Sequence, residues 1–132
     1  MNRVLLSVAV GVAGSLWLGG IAIAQGTEEV TVTAAGVVEK DAGGAPGGAR
    51  AQDMSFSYAV SYKGLDLASY AGAVELQKRV KDAARDACRE ISRQRPLAQL
   101  TPDEGGCAKA AADKAMVRVN ELIAAAQKKP VK

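Results

Sequence analysis

The chain has no histidine anywhere in its 132 residues. That removes the side chain whose charge changes near neutral pH, and with it the usual general base. A Ser-His-Asp or Cys-His catalytic arrangement is excluded outright. Aromatics are nearly absent too: one Phe, one Trp and three Tyr make up 4% of the chain. Only two cysteines occur, Cys88 and Cys107. They do not form a C-x-x-C pair, so thioredoxin-like redox work is not indicated. Without imidazole a metal site would be left with carboxylates and carbonyls, the donors of hard cations. No D-x-D-x-D-G loop is present, and Asp103-Glu104 between turn residues reads more simply as a helix cap. Glu28-Glu29 lies near one end with nothing to form a pocket. These gaps point away from an enzyme and imply no cofactor.

Charge is also close to balanced, with 17 basic and 14 acidic residues. Nucleic-acid binding calls for a concentrated basic footprint, which this chain lacks. What the sequence does have is a distinctive start, MNRVLLSVAVGVAGSLWLGGIAIAQG. Arg3 precedes an uncharged apolar stretch from Val4 to Leu18. Gly19-Gly20 then breaks it, and Ala22-Ile23-Ala24 offers an A-x-A cleavage signal. Residues 1–24 therefore read as a secretory signal peptide, with contact to the membrane only during export. A retained anchor is the rival reading, since about 20 uncharged residues can span a bilayer. Cleavage after Ala24 removes Trp17 and Arg3, leaving 16 basic residues against 14 acidic ones. The exported part ends in a periplasmic or secreted setting, where an even cysteine count favours a disulfide between Cys88 and Cys107.

Residues 25–40 form an N-terminal segment in which Val30 and Val32 alternate with Thr31 and Thr33, predicting a first short strand. The stretch 41–54 is rich in Gly, Ala and Pro and reads as a flexible linker. From Ser55 the pattern sharpens: Phe56, Tyr58, Val60 and Tyr62 alternate with Ser55, Ser57, Ala59 and Ser61. This predicts a second strand, with Val30–Ala34 as its antiparallel partner. A helix is expected from about Tyr70 to Ser92 with Ser69 as N-cap. Its apolar face gathers Ala73, Leu76, Val80, Ala83, Ala84, Ala87 and Ile91, with Cys88 near the edge. Thr101, Pro102 and Glu104 resemble a capping box for a second helix, which starts somewhere between Pro102 and Cys107. Ala108, Ala111, Ala112, Ala115, Val119, Leu122, Ile123 and Ala126 share its inner face, with Lys109, Asp113 and Asn120 opposite. A basic tail, 128–132, closes the chain.

An antiparallel helical hairpin brings Cys88, near the end of one helix, to Cys107, near the start of the next. The expected fold is therefore α+β: a short two-stranded antiparallel sheet packed on a disulfide-linked antiparallel helical hairpin, with the strand-plus-helices unit at 55–127.

The run VSYKGLDLASYAGAVELQKRVKDAARDAC, followed by a second cysteine and a helix containing VRVN, resembles the UrcA family of small exported bacterial proteins. The resemblance covers about residues 60–120 and rests on Val60, Tyr62, Leu65, Asp66, Leu67, Gly72, Leu76, Arg79, Val80, Ala83, Ala84 and Cys88, then Cys107, Ala111, Ala115, Val119 and Asn120. The family usually carries Asp where this chain has Gly64. The resemblance implies a signal peptide, export and one disulfide, and no established activity, substrate or cofactor.

Two features remain as candidate sites. The joint Tyr62, Leu65, Asp66 and Leu67 is expected to set the angle of the first helix on the strands, with both leucines inward and Asp66 at the turn. Lys78, Lys81, Arg85 and Arg89 fall in one helical stripe, beside a stripe of Asp82, Asp86 and Glu90. Pairs such as Glu75–Arg79 and Lys78–Asp82 make a solvated face the plain reading. Docking of an envelope protein or anionic surface is the sharper one. The sheet edges additionally offer a place for a partner strand or a homodimer. The expected function is a non-catalytic, stress-associated envelope binding module, with low-affinity sequestration of a metal or anion as the alternative.

Overall fold

The computed structural model describes residues 27–41 and 48–129. The signal-peptide reading at 1–24, the connection at 42–47 and the last residues of the basic tail lie outside the described residues. Four elements follow in order: β1 (Glu29–Asp41), β2 (Ala49–Ser61), α1 (Tyr70–Arg93) and α2 (Glu104–Lys128). The fold is α+β, with the two strands antiparallel, both helices against one face of the sheet, and a disulfide joining the helices. No helix among the described residues is long and apolar enough to cross a membrane.

Alternation builds the sheet. Val30, Val32, Ala34, Gly36 and Val38 face inward, while Glu29, Thr31, Thr33 and Ala35 face solvent. Val30 stands opposite Val60, Val32 opposite Tyr58 and Ala34 opposite Phe56. On the open face the hydroxyls of Thr33 and Ser57 share a hydrogen bond of 2.8 Å. Both strands are longer than the alternation alone indicates. β1 continues to Asp41, and β2 begins at Ala49, so residues 49–54 of the expected linker belong to the sheet. The cause is tertiary. A Cβ on Gly36 would come within 2.7 Å of the Ile91 side chain, so β1 runs directly over the end of α1 and holds Met54 and Gln52 in register opposite it.

α1 buries Ala73, Leu76, Val80, Ala84, Ala87 and Ile91 of the expected face, with Ala83 half-buried at its edge and Cys88 drawn fully in. α2 buries Cys107, Ala111, Ala112, Ala115 and Val119, with Leu122, Ile123 and Ala126 half-buried further along. α1 packs on both strands and α2 on β1. α2 starts at Glu104, within the expected range, and its N-cap is Asp103 rather than the Thr101 of the capping box, with Asp103 Oδ1 accepting the Gly106 N–H at 3.0 Å. Lys128 is the last helical residue rather than the first of the tail.

Thr101 has another task. Its hydroxyl donates to the Val37 carbonyl at 2.6 Å and accepts the Val37 N–H at 2.8 Å. Nearby, Leu97 donates its N–H to the Val37 carbonyl and Glu39 donates to the Arg95 carbonyl. The loop between the helices thereby covers the outer edge of β1 around residues 37–39. Thr101→Val keeps the shape but strips both side-chain bonds from partly buried backbone, and we expect it to cost about 1–2 kcal/mol in urea unfolding. A loss below the precision of that measurement would show the loop to be held by its backbone bonds alone.

Candidate functional site: a basic groove between the helices

The joint between β2 and α1 is a sequence of short-range bonds. Leu65 donates its N–H to the Tyr62 carbonyl, closing a turn in which Gly64 has φ +78°, a left-handed conformation that glycine adopts without strain. Asp66 Oδ1 accepts the Ala68 N–H at 3.0 Å, and its carbonyl accepts the Ser69 hydroxyl at 2.7 Å. Ser69 in turn caps α1 by accepting the Gly72 N–H at 3.1 Å. Leu67 is buried, Tyr62 and Leu65 are half-buried against the core, and Asp66 is exposed. Every polar group of Asp66 named here is engaged in folding the joint.

The disulfide sets the helix alignment. Cys88 and Cys107 are bonded with their Cα atoms 5.9 Å apart. In an antiparallel pair, stepping two residues past Cys107 and two or three back from Cys88 sets Lys109 level with Arg85 and Asp86. The two helices then frame an open groove of about 460 Å³ lined by Lys81, Arg85, Lys109, Glu104, Ala108 and Ala112. Small side chains leave this space because alanines cannot fill it.

Three cations, Lys81, Arg85 and Lys109, and one carboxylate, Glu104, line the groove. Arg85 pairs with Asp82 at 2.9 Å, and the same carboxylate reaches Lys78 at 3.6 Å. Arg89 lies 3.1 Å from Asp86 and 3.9 Å from Glu104, linking the helices. Lys109 bonds Asp113, and that hydrogen bond together with the carboxylate's charge raises the pKa of its ammonium. Lys81 has no ion-pair partner among the described residues. Side chains in these pairs are largely exposed, so each contributes little to stability. They hold the cations in place along the groove wall rather than bury them.

Of the stripe Lys78, Lys81, Arg85 and Arg89, the structure brings Lys81 and Arg85 to the groove. Lys78 and Arg89 are tied to acidic neighbours along α1. Lys109 lies off the core face of α2, so the wheel of a single helix does not join it to the stripe on α1. Counting outward from the paired cysteines would have found it. Among the described residues no three His, Cys, Asp or Glu side chains converge as a metal site. The chain matches no family model, no curated protein and no solved structure.

Proposed function

We propose that this is an exported, non-catalytic UrcA-like protein whose interhelical groove docks an anionic surface of the cell envelope. One observation carries the reading: Lys81, Arg85 and Lys109 arrive from two different helices at one solvent-open groove with an alanine floor. An open groove with cations on both walls suits a repeating anion such as a phosphate-bearing headgroup or wall polymer better than a small substrate that must be enclosed. The signal-like N-terminus and the disulfide support an extracytoplasmic setting. Sequestration of a cation has less to rest on, since among the described residues no three acidic side chains converge.

The test is sedimentation of residues 25–132 with phosphatidylglycerol vesicles and with neutral phosphatidylcholine vesicles. Binding to the anionic set is expected at about 20 mM salt and is expected to fade at about 500 mM, as the screening length shrinks from ~20 to ~4 Å. Lys81→Glu combined with Arg85→Glu should weaken binding at least about tenfold, each cation near an anionic surface being worth roughly 1 kcal/mol. Equal binding by the double variant, or no preference for anionic vesicles at either salt, would remove the groove from consideration.

A further inference from the structure

The two edges of the sheet are not equivalent. β1 is covered on its outer side at Val37 and Glu39 by Arg95, Leu97 and Thr101. Those bonds show that the odd-numbered residues of β1 turn their backbone groups outward. The unbroken register Thr31↔Ala59, Thr33↔Ser57, Ala35↔Ser55, Val37↔Asp53 and Glu39↔Ala51 then turns the backbone groups of Ala51, Asp53, Ser55, Ser57 and Ala59 to the opposite outer edge. Among the described residues, nothing bonds to that edge until Ser61, whose carbonyl accepts from Arg79.

We infer that the outer edge of β2 is a homodimer surface, on which a second copy of this chain adds its own β2 antiparallel across a twofold axis. Three observations select a second copy over a foreign strand. The edge from Met54 to Tyr62 carries no charge, proline or glycine, the devices by which an edge is ordinarily protected, and Asp53 is the one charged residue among those turned outward. Pairing centred on Ser55 sets Asp53 against Ser57 of the second copy and Ala51 against Ala59 of the second copy, so no like charges meet. Each chain also offers this one long edge while covering part of the other, which gives a closed pair rather than a growing ribbon. The pairing would join two sheets into one of four strands with all helices on the same face. It would also cover Tyr58, which is 39% exposed on the helix-facing side, together with the half-buried Met54 and Phe56. This inference stands apart from the anion-docking reading, because the groove lies between the helices and not at the sheet.

The experiment uses residues 25–132 with the disulfide intact, a span that contains every described element and the whole described core. Sedimentation equilibrium should show the mass of two chains, and the amides of Ser55, Ser57 and Ala59 should exchange more slowly as concentration rises. Ser55→Pro removes one outward N–H without breaking the ladder to β1. By symmetry the dimer loses that bond twice, so dissociation should rise about a hundredfold. A monomer up to about 1 mM, where even an association of ~4 kcal/mol is visible, overturns the inference. So does a dimer whose Ser55, Ser57 and Ala59 amides exchange as fast as in the dilute protein. If Ser55→Pro fails to fold, the exchange measurement on the unaltered chain decides alone.

Discussion

Cys88→Ala combined with Cys107→Ala is expected to cost about 3 kcal/mol of stability and to lower Tm by roughly 12–20 °C. The crosslink spans a sequence separation of 19 and closes a loop holding the end of α1, the covering loop and the start of α2. Loop-closure entropy alone gives the energy. What makes it large for this protein is how little else holds α2. Its buried residues are Cys107, three alanines and Val119, and an alanine methyl hides little apolar area. α1, in contrast, buries Leu76, Val80 and Ile91 under the valines of β1. Without the bond, α2 should therefore loosen before α1. Amide exchange in α2 should accelerate well beyond that in α1 and β1, and thermal unfolding should broaden. A loss below about 1 kcal/mol, or exchange that accelerates uniformly, would mean that packing rather than the crosslink holds α2 in place.

The contrast between the helices also explains what could be read from the residues alone. α1 is strongly amphipathic, and its capping serine, inner face and paired charges follow from spacing. β2 was legible only where aromatics alternate with serines. Its first half, Ala49–Met54, has the composition of a linker, and it is a strand because β1 lies beside it and Gly36 lets Ile91 close the layer beneath. Local propensity carries no trace of that contact, which joins residues far apart in the chain. The start of α2 falls inside the expected range, but the residue that caps it is not Thr101, for a related reason. Thr101 has the identity and spacing of a cap, but β1 offers it a carbonyl and an N–H together, and Asp103 takes the capping position instead.

The groove was half legible. Stripes on one helix follow from 100° per residue, and that spacing places Lys81 and Arg85 together. Lys109 needed the alignment of two helices, which no single wheel contains. The neutralising partners divide similarly: Asp82 sits within reach along α1, whereas Glu104 reaches Arg89 from the other helix, near the disulfide that joins the two.

The joint holds the remaining strong expectation, at Gly72. Replacing a helical glycine by alanine ordinarily stabilises a helix by about 1 kcal/mol. Here the sign should reverse. A Cβ at position 72 would lie on the Asp66 carbonyl oxygen and 2.6 Å from its carbon, and both are backbone atoms that cannot turn aside. That carbonyl is fixed from the other side by the Ser69 N–H and hydroxyl, and Ser69 itself holds the Gly72 N–H. Making room for the methyl therefore opens the turn and the cap together. Overpacking against rigid backbone costs roughly 3 kcal/mol and the cap about 1, against the gain of about 1 from propensity, for a net loss of about 3 kcal/mol. Gly105→Ala is the control. It occupies a similar early position in α2, its nearest neighbour would be Asp103 Oδ2 at 3.5 Å, and it should be neutral or stabilising by up to about 1 kcal/mol. Urea unfolding of the two variants separates the explanations cleanly: if Gly72→Ala matched Gly105→Ala, the close approach of Asp66 to α1 would not be what the joint is built around. If they diverge as expected, Gly72 is accounted for by the fold, since a helix pressed this tightly onto the Asp66 turn cannot accept a side chain there.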